Sequence, residues 1–219
     1  MNTVEITKGI YSTPKYNMIM GLVLFWGFFV NWLIVAFVDP AMVFGVVNGF
    51  IVLIAYTASS SYGYYLFMSS ENPRTSFIGY NLVVLPLGFS LNLVLHDIDP
   101  LILFYAFEIT SLLTLLMMLF GYLFPSFFQR IYGVLAISLL CVIIIEMIQI
   151  FVFGVHQEWL QWVMIGLFCA YIGYDWGIAN QEPKTLDNAI DSAAMIYIDV
   201  ITLFLRIIKL ILLITAKKN

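Results

Sequence analysis

The chain is a succession of apolar runs, each about as long as a bilayer is thick. They lie at about Asn17–Val38, Ala41–Phe67, Ser76–Leu95, Leu101–Phe124, Arg130–Phe153, Trp159–Asn180 and Asn188–Thr215. A helix needs roughly 20 apolar residues to cross the hydrocarbon core, and only helices and closed barrels satisfy their own backbone there. The pattern predicts an all-α integral membrane protein with seven transmembrane helices. The breaks hold turn and helix-ending residues: VDPA, SSENPRTS, HDIDP, FPSFFQR, GVHQEW and NQEPKTLDN. The second run is the least regular. Its half YTASSSYGYY is polar, so it either ends early or lines something wet.

Composition agrees. With 63% hydrophobic and 10% charged residues, and a mean hydropathy of +1.00, the chain is far oilier than soluble domains, which run near half apolar and a quarter charged. The organisation expected is a short cytoplasmic segment over 1–16, a seven-helix domain over 17–215, and a basic tail over 216–219. The net charge of −4 and the lack of a basic patch exclude nucleic acid as a partner. Cys141 and Cys169 both sit in apolar runs and read as packing thiols, with no metal or redox motif. The first apolar run has no small-residue cleavage site after it and reads as a span, not a removed signal.

Charge sets an orientation. The N-terminal segment and every second loop hold Lys8, Lys15, Arg74, Arg130 and Lys184, whereas the opposite loops hold Asp39, His96, Asp97, Asp99, His156 and Glu158. The positive-inside rule puts the N-terminus in the cytoplasm. Arg206, Lys209, Lys217 and Lys218 then fall on the outer side, against the rule. Either the earlier helices overrule them or the last segment does not fully cross. In this orientation the outer face is acidic and gathers cations. Asp97, Asp99 and Glu158, with the histidines beside them, are weak candidates for calcium at that mouth, because hard oxygen ligands suit it. The ordinary reading is solvated loops.

Four carboxylates lie inside apolar runs: Glu108, Glu146, Asp175 and Asp199. A charge at the centre of a membrane helix costs roughly 2.5–3.5 kcal/mol, so such residues face the bundle interior and mark ion or proton sites. Glu108 has Thr110, Ser111 and Thr114 near it. Glu146 has Gln149 on the same helical face. Asp175 follows Tyr174, whose hydroxyl is a candidate partner. Asp199 has Thr202 one turn on and Arg206 two turns on. Arg206 either pairs in the core or extends to the interface, and Lys209 is expected to extend there. The last two helices are antiparallel neighbours, so the two aspartates can meet if they share a face. Two close carboxyls out of water share one proton. That makes a pH switch.

The residues around the two aspartates resemble the Bax inhibitor-1 family (the TMBIM or Lifeguard group). Tyr174-Asp175 ends the sixth run as in that family, and YIDVITLFLRIIKLI is similar to its seventh helix. A looser likeness runs through PLGFSLNLVL and ILFYAFEITSLLTLLMMLFGYL, so the resemblance covers about residues 75–212. It implies a central seventh helix surrounded by the other six. It further implies a pH-sensitive calcium leak in which Asp175 and Asp199 share the proton that closes the pore. Calcium is then the permeant ion, with protons and the lipid bilayer as the other partners, no cofactor and no enzymatic activity. Departures are Thr202 where the family has Asn, Glu108 in the fourth helix, and no Arg at the end of the second helix. Arg74, in the following loop, is the available substitute. The tail AKKN does not match a di-lysine retrieval signal, and the expected site is a bacterial inner membrane.

Two other functions use buried carboxylates. A proton-coupled small-solute transporter would relay protons through them, but the chain shows no inverted repeat or broken helix pair. An intramembrane aspartyl protease would use the pair as acid and base, but Ile196-Tyr197-Ile198 stands where such enzymes carry Gly-x-Gly before the second aspartate.

Overall fold

The computed structural model describes residues 10–44, 49–155 and 157–217. Among them the chain forms eight helices and no strand: α1 (Thr13–Phe37), α2 (Pro40–Phe44), α3 (Gly49–Ser69), α4 (Pro73–Leu95), α5 (Pro100–Leu123), α6 (Pro125–Phe151), α7 (Glu158–Ala179) and α8 (Leu186–Ala216). They fall on the apolar runs, with α2 and α3 both inside the second. Five of them, α1, α4, α5, α6 and α7, are long and apolar enough to cross a membrane, as an integral membrane protein requires.

Proline decides where helices begin. Pro14, Pro73, Pro100 and Pro125 each stand in a first turn, where a missing N–H costs nothing and the fixed φ suits a helix. Two starts are reinforced by side-chain caps: Asn72 Oδ1 accepts from the Arg74 amide at 3.0 Å, and Asp99 Oδ1 from the Leu101 amide at 2.8 Å. The break expected in FPSFFQR is there but is only Phe124 long: Pro125 starts α6, and Arg130 lies within it. Arg74 belongs to the first turn of α4, not to the preceding loop.

The chain divides into two compact units. The first holds residues up to Ile98 with Glu182–Met195. Here α4 packs on both α1 and α3. Gly63 and Gly79 let α3 and α4 cross closely, since a Cβ on Gly79 would lie 2.6 Å from the Gly63 carbonyl oxygen. Asn92 Nδ2 donates to the carbonyls of Ile34 and Val38 at the end of α1 (3.1 and 2.9 Å). The polar half of the second run does not end early; α3 continues to Ser69. One of its serines has a defined task. Pro86, inside α4, has no N–H to give the carbonyl of Leu82, four residues back. The Ser59 hydroxyl donates to that carbonyl at 2.9 Å.

The second unit holds Asp99–Gln181 and Ile196–Asn219. Its α7 packs on α5 and α6 and is 56% buried over its central span, against 11% for α5 and 17% for α6. The outer faces of α5 and α6 carry Phe107, Leu115, Val134 and Ile137, all well exposed, as suits contact with lipid. Gly121 and Gly173 bring the backbones of α5 and α7 together, and the Phe128 ring of α6 covers Gly173. In α8, Ile196, Tyr197, Ile201, Leu203, Ile207 and Ile208 are buried. At about 100° per residue they cover nearly half of the helix circumference.

Candidate functional site

Asp175 and Asp199 meet in the second unit. Asp175 lies one turn from the end of α7, flanked by Ile172 and Ala179, both fully buried. Asp199 lies mid-way along α8 between Ile196 and Leu203, also buried. Each aspartate is 7% exposed. The Asp199 carboxyl lies beside that of Asp175 and feels its charge. A carboxylate only accepts, so a bond between two carboxyls requires one proton on the pair. Oδ2 of Asp199 is buried and meets no hydrogen-bond donor among the described residues. Charging both groups there would set two anions side by side out of water, which buried sites avoid by holding a proton.

The rest of α7 frames this pair. Gly173 and Gly177 stand on either side of Asp175, and both face the Gly121 backbone of α5. No side chain can be added on that face of α7 without moving α5 or Phe128. Tyr174 stacks on Tyr132 of α6, with ring centroids 4.5 Å apart, so its ring serves packing beside the pair. Thr202 donates to the carbonyl of Ile198 in its own helix at 2.7 Å, a local bond that commits its proton elsewhere.

Arg206 and Glu146 are in the same unit but form a second cluster. Arg206 Nη1 donates to Glu146 Oε1 at 2.6 Å and to Gln161 Oε1 at 3.3 Å, and Lys209 Nζ donates to the same Glu146 oxygen at 2.8 Å. Arg206 thus pairs in the core. The expectation that Lys209 extends to the interface is corrected: Lys209 is three residues beyond Arg206, on the same face, and bonds the same carboxylate. Glu146 answers these cations rather than the aspartate pair.

Glu108 is exposed on α5, which corrects its expected interior position. Its neighbour Thr110 bonds back to Ala106 at 2.7 Å. Arg74 is exposed in the first unit. The weak calcium candidates have other occupations: Asp99 caps α5 and Glu158 pairs with Lys217 at 3.2 Å, while Asp97 is exposed. His156 lies outside the described residues, as does Lys8. Among the described residues no three His, Cys, Asp or Glu side chains gather to hold a metal ion.

Sequence reasoning missed a polar group in the first unit. Ser76, fully buried, donates to Asp187 Oδ1 at 2.8 Å. Tyr16, on α1, donates to the Asn188 carbonyl at 3.2 Å, and its hydroxyl lies 3.2 Å from that of Ser192. The i, i+4 spacing of Asn188 and Ser192 was the signal available: it puts both on one face of the last helix.

A model of the family described as inhibitor of apoptosis-promoting Bax1 matches residues 11–217. A comparison with the curated proteins gives no match.

Proposed function

Because the chain belongs to the Bax inhibitor family and sets two buried carboxyls beside each other between its last two helices, we propose that it is a pH-sensitive calcium leak channel gated by Asp175 and Asp199. The single observation that carries this reading is the carboxyl–carboxyl contact. One shared proton fastens α8 to α7. Losing it leaves two anions facing each other, and two charges 4 Å apart repel by about 4 kcal/mol at an effective dielectric constant of 20. That is enough to shift a two-state equilibrium by about a thousandfold. The Gly121, Gly173 and Phe128 contacts hold α7 against its neighbours, so α8 is the element that yields. Leak therefore rises as pH rises.

The seven-span topology, the central position of α8, the cytoplasmic N-terminus and the bacterial inner membrane belong to this proposal. So do calcium as the permeant ion and a non-enzymatic role.

The test is calcium entry into proteoliposomes stepped from about pH 6 to pH 8, for the wild type, Asp175→Asn and Asp199→Asn. Flux that climbs with pH in the wild type and loses this dependence in both variants supports the proposal. Absence of calcium flux at every pH sinks it. Proton-driven solute uptake in its place would favour a transporter.

A further inference from the structure

Glu146 accepts from two cations on consecutive turns of α8, and Gln161 of α7 accepts from one of them. Three helices therefore meet in one polar cluster. All four polar groups are largely enclosed: side-chain exposure is 13% for Glu146, 19% for Arg206 and 30% for Lys209, and Gln161 is 1% exposed. The cluster carries one positive charge in excess. It has no slack, because removing the carboxylate leaves two enclosed cations beside each other with only the neutral Gln161 oxygen to answer Arg206, and an enclosed charge without its partner is strongly unfavourable.

Its position along α8 gives it a role. Arg206 is seven residues beyond Asp199, which is two turns and about 10 Å along the axis, on nearly the same face. The stripe of α8 that meets α7 at Asp175 meets it again at Gln161. We infer that Glu146 is a positioning residue: it clamps the C-terminal half of α8 onto α6 and α7 and thereby sets how readily α8 leaves the state in which Asp175 and Asp199 are joined. This rests on the proposed gating function. The clamp is an ion pair separate from the aspartate pair, and it opposes the same movement of α8.

The test uses full-length protein in proteoliposomes. Three forms are compared with the wild type: Glu146→Gln, Gln161→Leu, and the triple replacement Glu146→Leu with Arg206→Leu and Lys209→Met. We expect Glu146→Gln to leak about tenfold more calcium than the wild type at pH 6, which flattens the pH profile. Gln161→Leu changes no charge and removes one acceptor, so it raises the pH 6 leak about two- to threefold. The triple replacement has no charge left to repel and stays near the wild-type leak. An unchanged or reduced leak at pH 6 in Glu146→Gln and Gln161→Leu overturns the clamp; a reduced leak would mark the cluster as a barrier to cations instead. If the wild type conducts no calcium, the gating proposal fails, and the clamp is judged on hydrogen exchange over the last three turns of α8. Faster exchange in Glu146→Gln and not in the triple form upholds it, and unchanged exchange overturns it.

Discussion

Single residues in this protein mostly act by satisfying another group's hydrogen bond where water is absent. Ser59 is the clearest case. Its hydroxyl answers the Leu82 carbonyl that Pro86 leaves without a donor. We expect Ser59→Ala to destabilise the protein by about 1–3 kcal/mol, the cost of an unsatisfied buried polar group, measured by unfolding in detergent. Pro86→Ala should restore the helix amide and make Ser59→Ala nearly neutral, so the double variant is the decisive sample. Ser76→Ala should cost a similar amount, because it removes the hydrogen bond to the buried Asp187 carboxyl. Asp187→Asn should soften that loss, since an uncharged amide tolerates burial better. At this scale sequence reading was uneven. It singled out Asp175, Asp199, Glu146 and Arg206 by the expense of charge in an apolar run. It misread Glu108, which is exposed rather than turned to the interior, and Lys209, whose partner is 63 residues away in sequence.

Elements are positioned by proline at their starts and glycine at their crossings. The four first-turn prolines set helix beginnings three to five residues before the apolar runs suggested for α1, α4 and α6. Hydropathy does not see the polar first turn of a membrane helix, whereas proline chemistry does. Close crossing makes the glycines intolerant of substitution. A Cβ on Gly173 would lie 2.5 Å from the Phe128 ring, and one on Gly121 would strike the Gly173 backbone. Gly121→Ala therefore has no flexible side chain to displace. We expect it to cost more than Gly173→Ala, where Phe128 can turn aside, within the roughly 1–3 kcal/mol typical of overpacking. Thermal unfolding of the two variants in detergent would show the order. Gly133 and Gly166, with nothing nearby, serve as controls that accept alanine.

For the whole molecule the open question in the sequence was the basic C-terminal end, which argues against an outward-facing tail. Ion pairing relieves much of this conflict: Arg206 and Lys209 are paired with Glu146, and Lys217 with Glu158. Paired cations weigh less as free positive charge, which supports the proposed orientation drawn from Lys15, Arg74, Arg130 and Lys184. We expect a cysteine at Ser70 to be labelled by an impermeant reagent only from the cytoplasmic side, and one at Asp97 only from the outside, in a form with Cys141 and Cys169 replaced by serine. The reverse pattern would overturn the orientation. By itself the sequence determined the helical class, the membrane as solvent and the two aspartates worth examining. Each of these follows from the local cost of polar atoms in hydrocarbon, which a residue carries wherever it sits. Only the tertiary structure decided that Asp175 and Asp199 lie beside each other, that Glu146 instead takes Arg206 and Lys209, and that Ser59 serves a proline on another helix. Those outcomes depend on which faces of distant helices turn toward each other. Helix rotation is set by the packing of many side chains at once, and no spacing along one segment encodes it.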